Sequence, residues 1–101
     1  PRNADVHNLL GYSYRLLATP NLPKSFEHYR IALQIDPNHQ ATHNYIGMAY
    51  LMDNKPDEAR KHLVQIERIC GNATCPNYVS LATALESHGK SGSLPSHKSV
   101  Y

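Results

Sequence analysis

The sequence has no tryptophan, one phenylalanine and only two cysteines, and its charged residues form no long run of one sign. Its ten basic and eight acidic residues give a net charge of +2, and the basic ones are scattered from Arg2 to Lys98. A phosphate-binding surface needs clustered lysine and arginine, so the sequence predicts no nucleic acid partner. Every apolar run is far shorter than the roughly 20 residues that cross a bilayer, so we expect no membrane span.

Catalytic motifs are missing as well. The chain contains no G-x-S-x-G, H-E-x-x-H, P-loop or dinucleotide-binding fingerprint. Its carboxylates fall mostly in turns and at helix starts, where capping and solubility account for them. We therefore expect a protein that is not an enzyme and needs no cofactor. At 101 residues with 41% apolar content, the chain can form one small domain with a modest core.

What the sequence does contain is an internal repeat with a period of 36 residues. The identical pairs are Pro1 and Pro37, His7 and His43, Asn8 and Asn44, Gly11 and Gly47, and Tyr14 and Tyr50. Self-similarity at such a period is typical of helical repeat arrays.

Within each copy, apolar residues recur at helical spacing and are interrupted by proline-containing turns. The pattern predicts an all-α fold with five helices, antiparallel neighbours and no strand. The expected helices are 4–17, 23–35, 40–53, 56–70 and 76–88. Asp36 and Lys55 each precede a proline and are expected to end helices, whereas Pro76 suits the first position of one. The small, polar residues 89–101 are typical of a flexible tail.

The residues at these positions resemble the tetratricopeptide repeat, over about residues 1–88. The matching residues are Gly11, Tyr14, Ser25, Tyr29, Ala32 and Pro37 in the first copy, and Gly47, Tyr50, Ala59 and Leu63 in the second. The first copy has two extra residues in its inter-helix turn. The second has Ile66 where a small residue is usual and Gly71 where proline is usual, which suggests that the array ends there.

The resemblance implies antiparallel helix-turn-helix repeats in a short right-handed solenoid. Repeat 1 would span 1–37 and repeat 2 would span 38–71, followed by a capping helix in 72–88. Residues 1–3 resemble the end of a preceding repeat, so an earlier helix is expected before them. In this family a small glycine lets two paired helices approach closely, which is the role expected for Gly11 and Gly47.

A narrower similarity concerns the two cysteines. Ile69-Cys70-Gly71, with Cys75, Tyr78 and Leu81 downstream, resembles the ending of small exported bacterial tetratricopeptide proteins, in which a cysteine pair precedes a capping helix. This implies a periplasmic or otherwise exported protein, with a cytoplasmic one as the alternative. Cys70 and Cys75 would then form a disulfide between the last repeat and the cap, or else remain two reduced thiols. Zinc is not expected, because C-x-x-C spacing and a second pair are both absent.

Seven histidines raise the question of a metal site. His39 and His43 are four residues apart, which would place them on one face of a helix. However, His39 falls where that helix begins, and no carboxylate or thiol lies in register as a further ligand. We therefore expect no metal, a surface or capping role for His39, and packing between helices for His7 and His43.

The resemblance also implies a binding site, because the first helix of each repeat lines the concave groove. The matching residues are Asp5, Asn8, Tyr12, Arg15, Asn44, Met48, Leu51 and Met52. Asparagines could bond an extended peptide backbone, and tyrosine and methionine could give adaptable apolar contacts. Alternatively, Met48 and Leu51 pack against a neighbouring helix. The family's clamp for C-terminal carboxylates is not reproduced, since Leu9 and Tyr45 stand where its asparagines would.

Two functions follow from this interpretation. The first is a non-enzymatic scaffold that binds a peptide or protein partner in the groove. The second is a self-assembly module that stacks on copies of itself, because solenoid ends expose apolar faces unless they are capped. The N-terminal helix carrying Val6 and Leu10 is the expected surface for a homo-oligomer.

Overall fold

The computed structural model describes residues 3–91, which form five α-helices joined by short turns and contain no strand. The helices are α1 (Ala4–Arg15), α2 (Leu22–Ile35), α3 (Gln40–Met52), α4 (Pro56–Cys70) and α5 (Pro76–Ser91). The all-α prediction is therefore confirmed for this part of the chain.

Two helix ends differ from the prediction by two or more residues. The first helix ends at Arg15 rather than at residue 17, and α5 continues to Ser91, so residues 89–91 of the predicted tail are helical. The rest of that tail, 92–101, and residues 1–2 of the predicted preceding repeat lie outside the described residues.

The helix starts follow from capping side chains and prolines. The Asn3 side chain accepts hydrogen bonds from the backbone N–H groups of Asp5 and Val6 at the start of α1, and Asn21 caps α2 in the same way. The Nδ1 atom of His39 accepts from the backbone N–H of Thr42 at 3.2 Å, which confirms the capping role expected for this histidine.

Each helix packs against its neighbours in the sequence, and the odd-numbered helices also pack against one another. These additional contacts join α1 to α3 and α3 to α5, whereas α2 and α4 do not touch. The helices α1, α3 and α5 therefore lie side by side, and we call them the odd-helix layer. Helices α2 and α4 lie behind this layer.

The core has two parts that share α3. One part lies between α2 and α3 and contains Phe26, Tyr29, Ile46 and Ala49. The other lies among α3, α4 and α5 and contains Met48, Leu51, Ala59, Ile66, Leu81 and Leu85. The central helix α3 is thus covered on several sides, which explains why it buries more residues than any other helix whose buried residues are described.

The two repeated glycines both permit close helix contact, but with different partners. A Cβ atom on Gly11 would lie 2.7 Å from the Tyr29 ring and 3.0 Å from the Ser25 carbonyl oxygen, both in the paired helix α2. A Cβ atom on Gly47 would instead lie 2.6 Å from a methyl carbon of Leu81, in α5. The expectation that each glycine lets the helices of its own pair approach closely holds for Gly11. The close contact at Gly47 is with the helix that follows the pair.

The first helix turns most of its apolar side chains outward. Its buried residues are Ala4, Asn8, Gly11 and Arg15. Its exposed apolar residues, between 38% and 58% exposed, are Val6, Leu9 and Leu10, followed at its C-terminal end by Leu16 and Leu17. The described residues thus leave one apolar side of α1 uncovered.

Candidate binding site on the odd-numbered helices

The eight residues predicted to line a groove all lie on α1 and α3, but they differ in accessibility. Asp5 is exposed, and Tyr12 and Met52 are half-buried. The other five, Asn8, Arg15, Asn44, Met48 and Leu51, are buried. A ligand on this layer would therefore meet the first three side chains directly.

Met48 and Leu51 belong to the core. They are 4% and 0% exposed and pack with residues of α4 and α5. Of the two interpretations left open by the sequence, packing against neighbouring helices describes their position. A partner lying on the odd-helix layer would not reach either side chain.

Asp5 already has a partner within the chain. Its carboxylate accepts a hydrogen bond from Nε2 of His39, whose other ring nitrogen caps α3. This contact joins α1 to the start of α3, so Asp5 helps to position the two helices of the predicted site.

The asparagines of the site carry polar atoms without a partner. Asn8 and Asn44 are buried, and in each the Oδ1 atom has no hydrogen-bond partner. The Nδ2 group of Asn44 donates to Oδ1 of Asn77 in α5 at 3.1 Å. Ser80, one repeat period beyond Asn44, also has a buried Oγ without a partner. Asn77 and Ser80 were not predicted as site residues, although the 36-residue period places Ser80 in line with the asparagines.

Arg15 lies among aromatic rings at the end of α1. Its guanidinium carbon is 5.3 Å from the centre of the Tyr12 ring and 5.8 Å from that of Tyr45. These two rings, from α1 and α3, stack with their centres 5.2 Å apart. The side chain is 2% exposed, and its Nη2 atom is buried without a partner. Tyr45 was not among the predicted groove residues.

The hydroxyl of Tyr29 lies behind Arg15. The Nε–H of Arg15 donates to this oxygen at 3.3 Å. Burial raises the pKa of Tyr29 to about 12, although the nearby Arg15 charge opposes the rise. Tyr29 is therefore neutral near pH 7 and does not neutralise the guanidinium.

A second repeated arrangement was not predicted. The Nδ1 atoms of His7 and His28 are 3.2 Å apart, and those of His43 and His62 are 2.9 Å apart. The ring of Tyr14 stacks on His28, and that of Tyr50 stacks on His62. His7 and His43 thus pack between helices, as expected. Their partners were harder to find because His28 and His62 are 34 residues apart, outside the 36-residue register.

The cysteines lie at the junction of α4 and α5. Their sulfur atoms are 2.06 Å apart, which is the distance of a disulfide bond. Cys70 is the last residue of α4, and Gly71, with φ of 86°, caps the helix in the left-handed conformation.

The described residues contain neither a membrane-spanning helix nor a group of metal-binding side chains. None of the helices that the structure describes is long and apolar enough to cross a membrane. Within the same residues, no three histidine, cysteine or acidic side chains group closely enough to hold a metal ion.

The comparisons with known proteins found no match to a family model, to a curated protein or to a solved structure.

Proposed function

We propose that this protein is a non-enzymatic interaction module of the tetratricopeptide type, which binds an extended peptide or protein segment across the odd-helix layer. In this proposal the chain is a short right-handed solenoid. Residues 1–37 and 38–71 are its two repeats, and α5 is the cap.

One observation carries the proposal. The buried side-chain polar atoms without a hydrogen-bond partner, among the described residues, all lie on α1, α3 and α5 and none on α2 or α4. They belong to Asn8, Arg15, Asn44 and Ser80. A buried polar group without a partner costs about 1–3 kcal/mol, so its concentration on one layer favours a ligand that supplies the missing partners.

The packing of the helices supports the same layer as the binding surface. The odd-numbered helices touch one another and the even-numbered ones do not, which is the arrangement expected where the odd-numbered helices line the inner side of a curved array. The amide groups of Asn8 and Asn44 repeat along this layer with the 36-residue period. Asn8 and Asn44 are 5% and 0% exposed, so an extended peptide would bond these amides only if the side chains that cover them move aside.

The proposal is tested with a phage-displayed library of random 12-residue peptides. Enriched peptides should bind the wild-type protein, and their affinity for the variants Tyr12→Ala and Met52→Glu should be about tenfold or more lower. Val64→Glu, on the exposed side of α4, is the matched control and should bind as the wild type does. Failure to enrich any peptide, or equal losses in the Val64 variant, would contradict binding across the odd-helix layer.

We further propose an exported location, because the Cys70 and Cys75 sulfurs lie at disulfide distance and such bonds persist in oxidising compartments. Free-thiol titration of unreduced, denatured protein from its native source should then find almost no thiol. Two reactive thiols there would contradict the proposed location.

The exposed apolar side of α1 favours self-assembly as a second candidate function. Leu9 is 58% exposed, and Val6 and Leu10 lie beside it. Covering each such side chain contributes about 1.5–3 kcal/mol, which would favour a symmetric dimer through α1. Light scattering at several concentrations tests this. A monomer throughout, with Leu10→Glu changing neither mass nor solubility, would rule it out.

A further inference from the structure

Arg15 is a buried cation for which the described residues provide no counter-ion. The ion pairs between side chains in this part of the chain join other groups, and Arg15 takes part in none of them. A buried charge is strongly unfavourable unless it is paired and hydrogen-bonded. The site around Arg15 is therefore electrostatically incomplete.

The hydrogen bonds of the guanidinium are also incomplete. Its Nε–H reaches the Tyr29 hydroxyl at 3.3 Å, and Nη1 reaches only the thioether sulfur of Met52, at 3.9 Å. A thioether is a weak acceptor, and Nη2 has no acceptor at all. Stacking on the Tyr12 and Tyr45 rings compensates part of the lost hydration, but it supplies no acceptor for the N–H groups.

The groups that cover Arg15 are suited to admitting a ligand. Tyr12, Tyr45 and Met52 all contact the guanidinium and are themselves only half-buried, so each is in part accessible from solvent. Methionine is flexible and adopts other rotamers readily. Movement of the Met52 side chain would replace a weak sulfur acceptor on Nη1 by an oxygen acceptor from a ligand.

The geometry points to a carboxylate of the bound peptide, either its C-terminus or an acidic side chain, as the missing partner of Arg15 beneath Tyr12, Tyr45 and Met52. A carboxylate matches the guanidinium because it can accept two parallel N–H bonds and carries the opposite charge. This inference rests on the proposed binding function and names the chemistry that the site would select. The anchor is a single arginine of α1 flanked by two tyrosines.

The test uses the unmodified chain and three synthetic pools of random, N-acetylated hexapeptides. One pool has a free C-terminus and no acidic side chain. The second is C-terminally amidated with one aspartate, and the third is amidated with no acidic residue. We expect the third pool to bind about tenfold or more weakly than at least one acidic pool, and the preferred pool identifies the source of the carboxylate.

Arg15→Gln should reduce the binding of the preferred acidic pool to the level of the neutral pool. Arg15→Lys keeps the charge but loses the planar, forked guanidinium. Its affinity for the preferred acidic pool should therefore lie between those of the wild type and Arg15→Gln. Arg30→Gln is the matched control, because Arg30 is an exposed arginine beside a ring on α2, and it should leave the preference unchanged. Circular dichroism and melting curves establish that each variant is folded.

A direct measurement avoids mutation altogether. In NMR spectra of arginine side chains, acetate should shift the Nε–H signal of Arg15 in a saturable way and move that of Arg30 only weakly. Equal binding of all three pools, with no change in Arg15→Gln, would overturn the carboxylate anchor while leaving the peptide groove. If no peptide pool binds but acetate shifts the Arg15 signal, the carboxylate site at Arg15 stands and the peptide groove is ruled out. If no peptide pool binds and acetate causes no shift of the Arg15 signal, both the carboxylate site and the peptide groove are ruled out.

Discussion

Mild acid should weaken the fold through the histidine pair of the second repeat. His43 donates its Nε2–H to the Pro37 carbonyl oxygen at 2.8 Å, so its Nδ1 carries a lone pair. His62 then donates its Nδ1–H to that lone pair across 2.9 Å. A proton added to Nδ1 of His43 would place two donors face to face.

The environment of the pair opposes protonation. Burial, and to a lesser extent the neighbouring His43, lowers the pKa of His62 to about 4, with Glu58 acting in the opposite direction and Lys61 in the same one. Burial likewise lowers the pKa of His43, although its hydrogen bond to Pro37 opposes the change. Arg68 and His39 add to the lowering, and Asp36 counteracts it.

The sign and size of the effect follow from linkage. Because the folded pKa is below the unfolded value of about 6.5, protons bind the unfolded chain more tightly, and stability is lost as the pH falls through this range. Each pH unit between the two values removes up to about 1.4 kcal/mol per histidine. For His62 alone, acidification from pH 7.5 to 5.0 should remove about 2 kcal/mol, a large part of the stability of a small domain.

Urea unfolding followed by circular dichroism at pH 7.5, 6.0 and 5.0 measures this loss, and most carboxylates remain ionised over that range. His62→Phe keeps a ring against Tyr50 and should lose much less stability than the wild type on acidification. Val64→Phe, at an exposed position on the same helix that does not titrate, is the control and should keep the wild-type pH dependence. Equal losses in the wild type and His62→Phe would refute the reasoning.

Two further predictions concern the glycines and cysteines. Gly11→Ala should destabilise by about 1–3 kcal/mol, because the new methyl group meets a buried tyrosine ring and a backbone carbonyl. Gly47→Ala meets the end of a leucine side chain and should cost less, and Gly89→Ala meets nothing and should be neutral or up to about 1 kcal/mol stabilising. The order of the three melting temperatures checks this, and equal shifts would contradict it. Reducing the bond between Cys70 and Cys75 should lower stability by about 2 kcal/mol on the chain-entropy estimate, measured as the difference between urea midpoints with and without reductant. An unchanged midpoint would argue against such a contribution.

The helices could be predicted because their ends are marked by local chemistry. Asp36 and Lys55 were both expected to end helices, and Asp36 does end α2, whereas α3 already ends at Met52 and Lys55 directly precedes α4. The five helices therefore appear within about two or three residues of the predicted bounds. Helix ends depend on a few neighbouring residues, and those are visible in the sequence.

The orientation of α1 was harder to predict. The sequence predicted that Asn8 and Arg15 would line an open groove. It also predicted that Val6 and Leu10 would lie on a surface for self-assembly. The structure instead turns Asn8, Gly11 and Arg15 inward. Hydrophobic spacing identifies an apolar side of a helix, but which side meets the rest of the chain depends on close packing, here that of Gly11 against Tyr29.

The site around Arg15 could be predicted only in part. The family resemblance placed Arg15, Tyr12 and Met52 on one surface, and all three meet there. The burial of Arg15 could not be foreseen, because arginine is usually exposed and its cover comes partly from α3. Tyr45 was noted only as standing where the family's clamp has an asparagine, and its position over Arg15 depends on how α1 and α3 pack together.

The two repeats share the histidine and tyrosine ring contacts within each helix pair and differ in the close contacts of their glycines. In both, a tyrosine stacks on a histidine of the second helix, which in turn meets a histidine of the first. Gly11 faces its own pair, whereas Gly47 faces the helix that follows. The histidine and tyrosine contacts are thus shared, and the second copy differs where it meets α5. If the proposed solenoid is correct, this difference is expected, because the last repeat of an array packs against a cap.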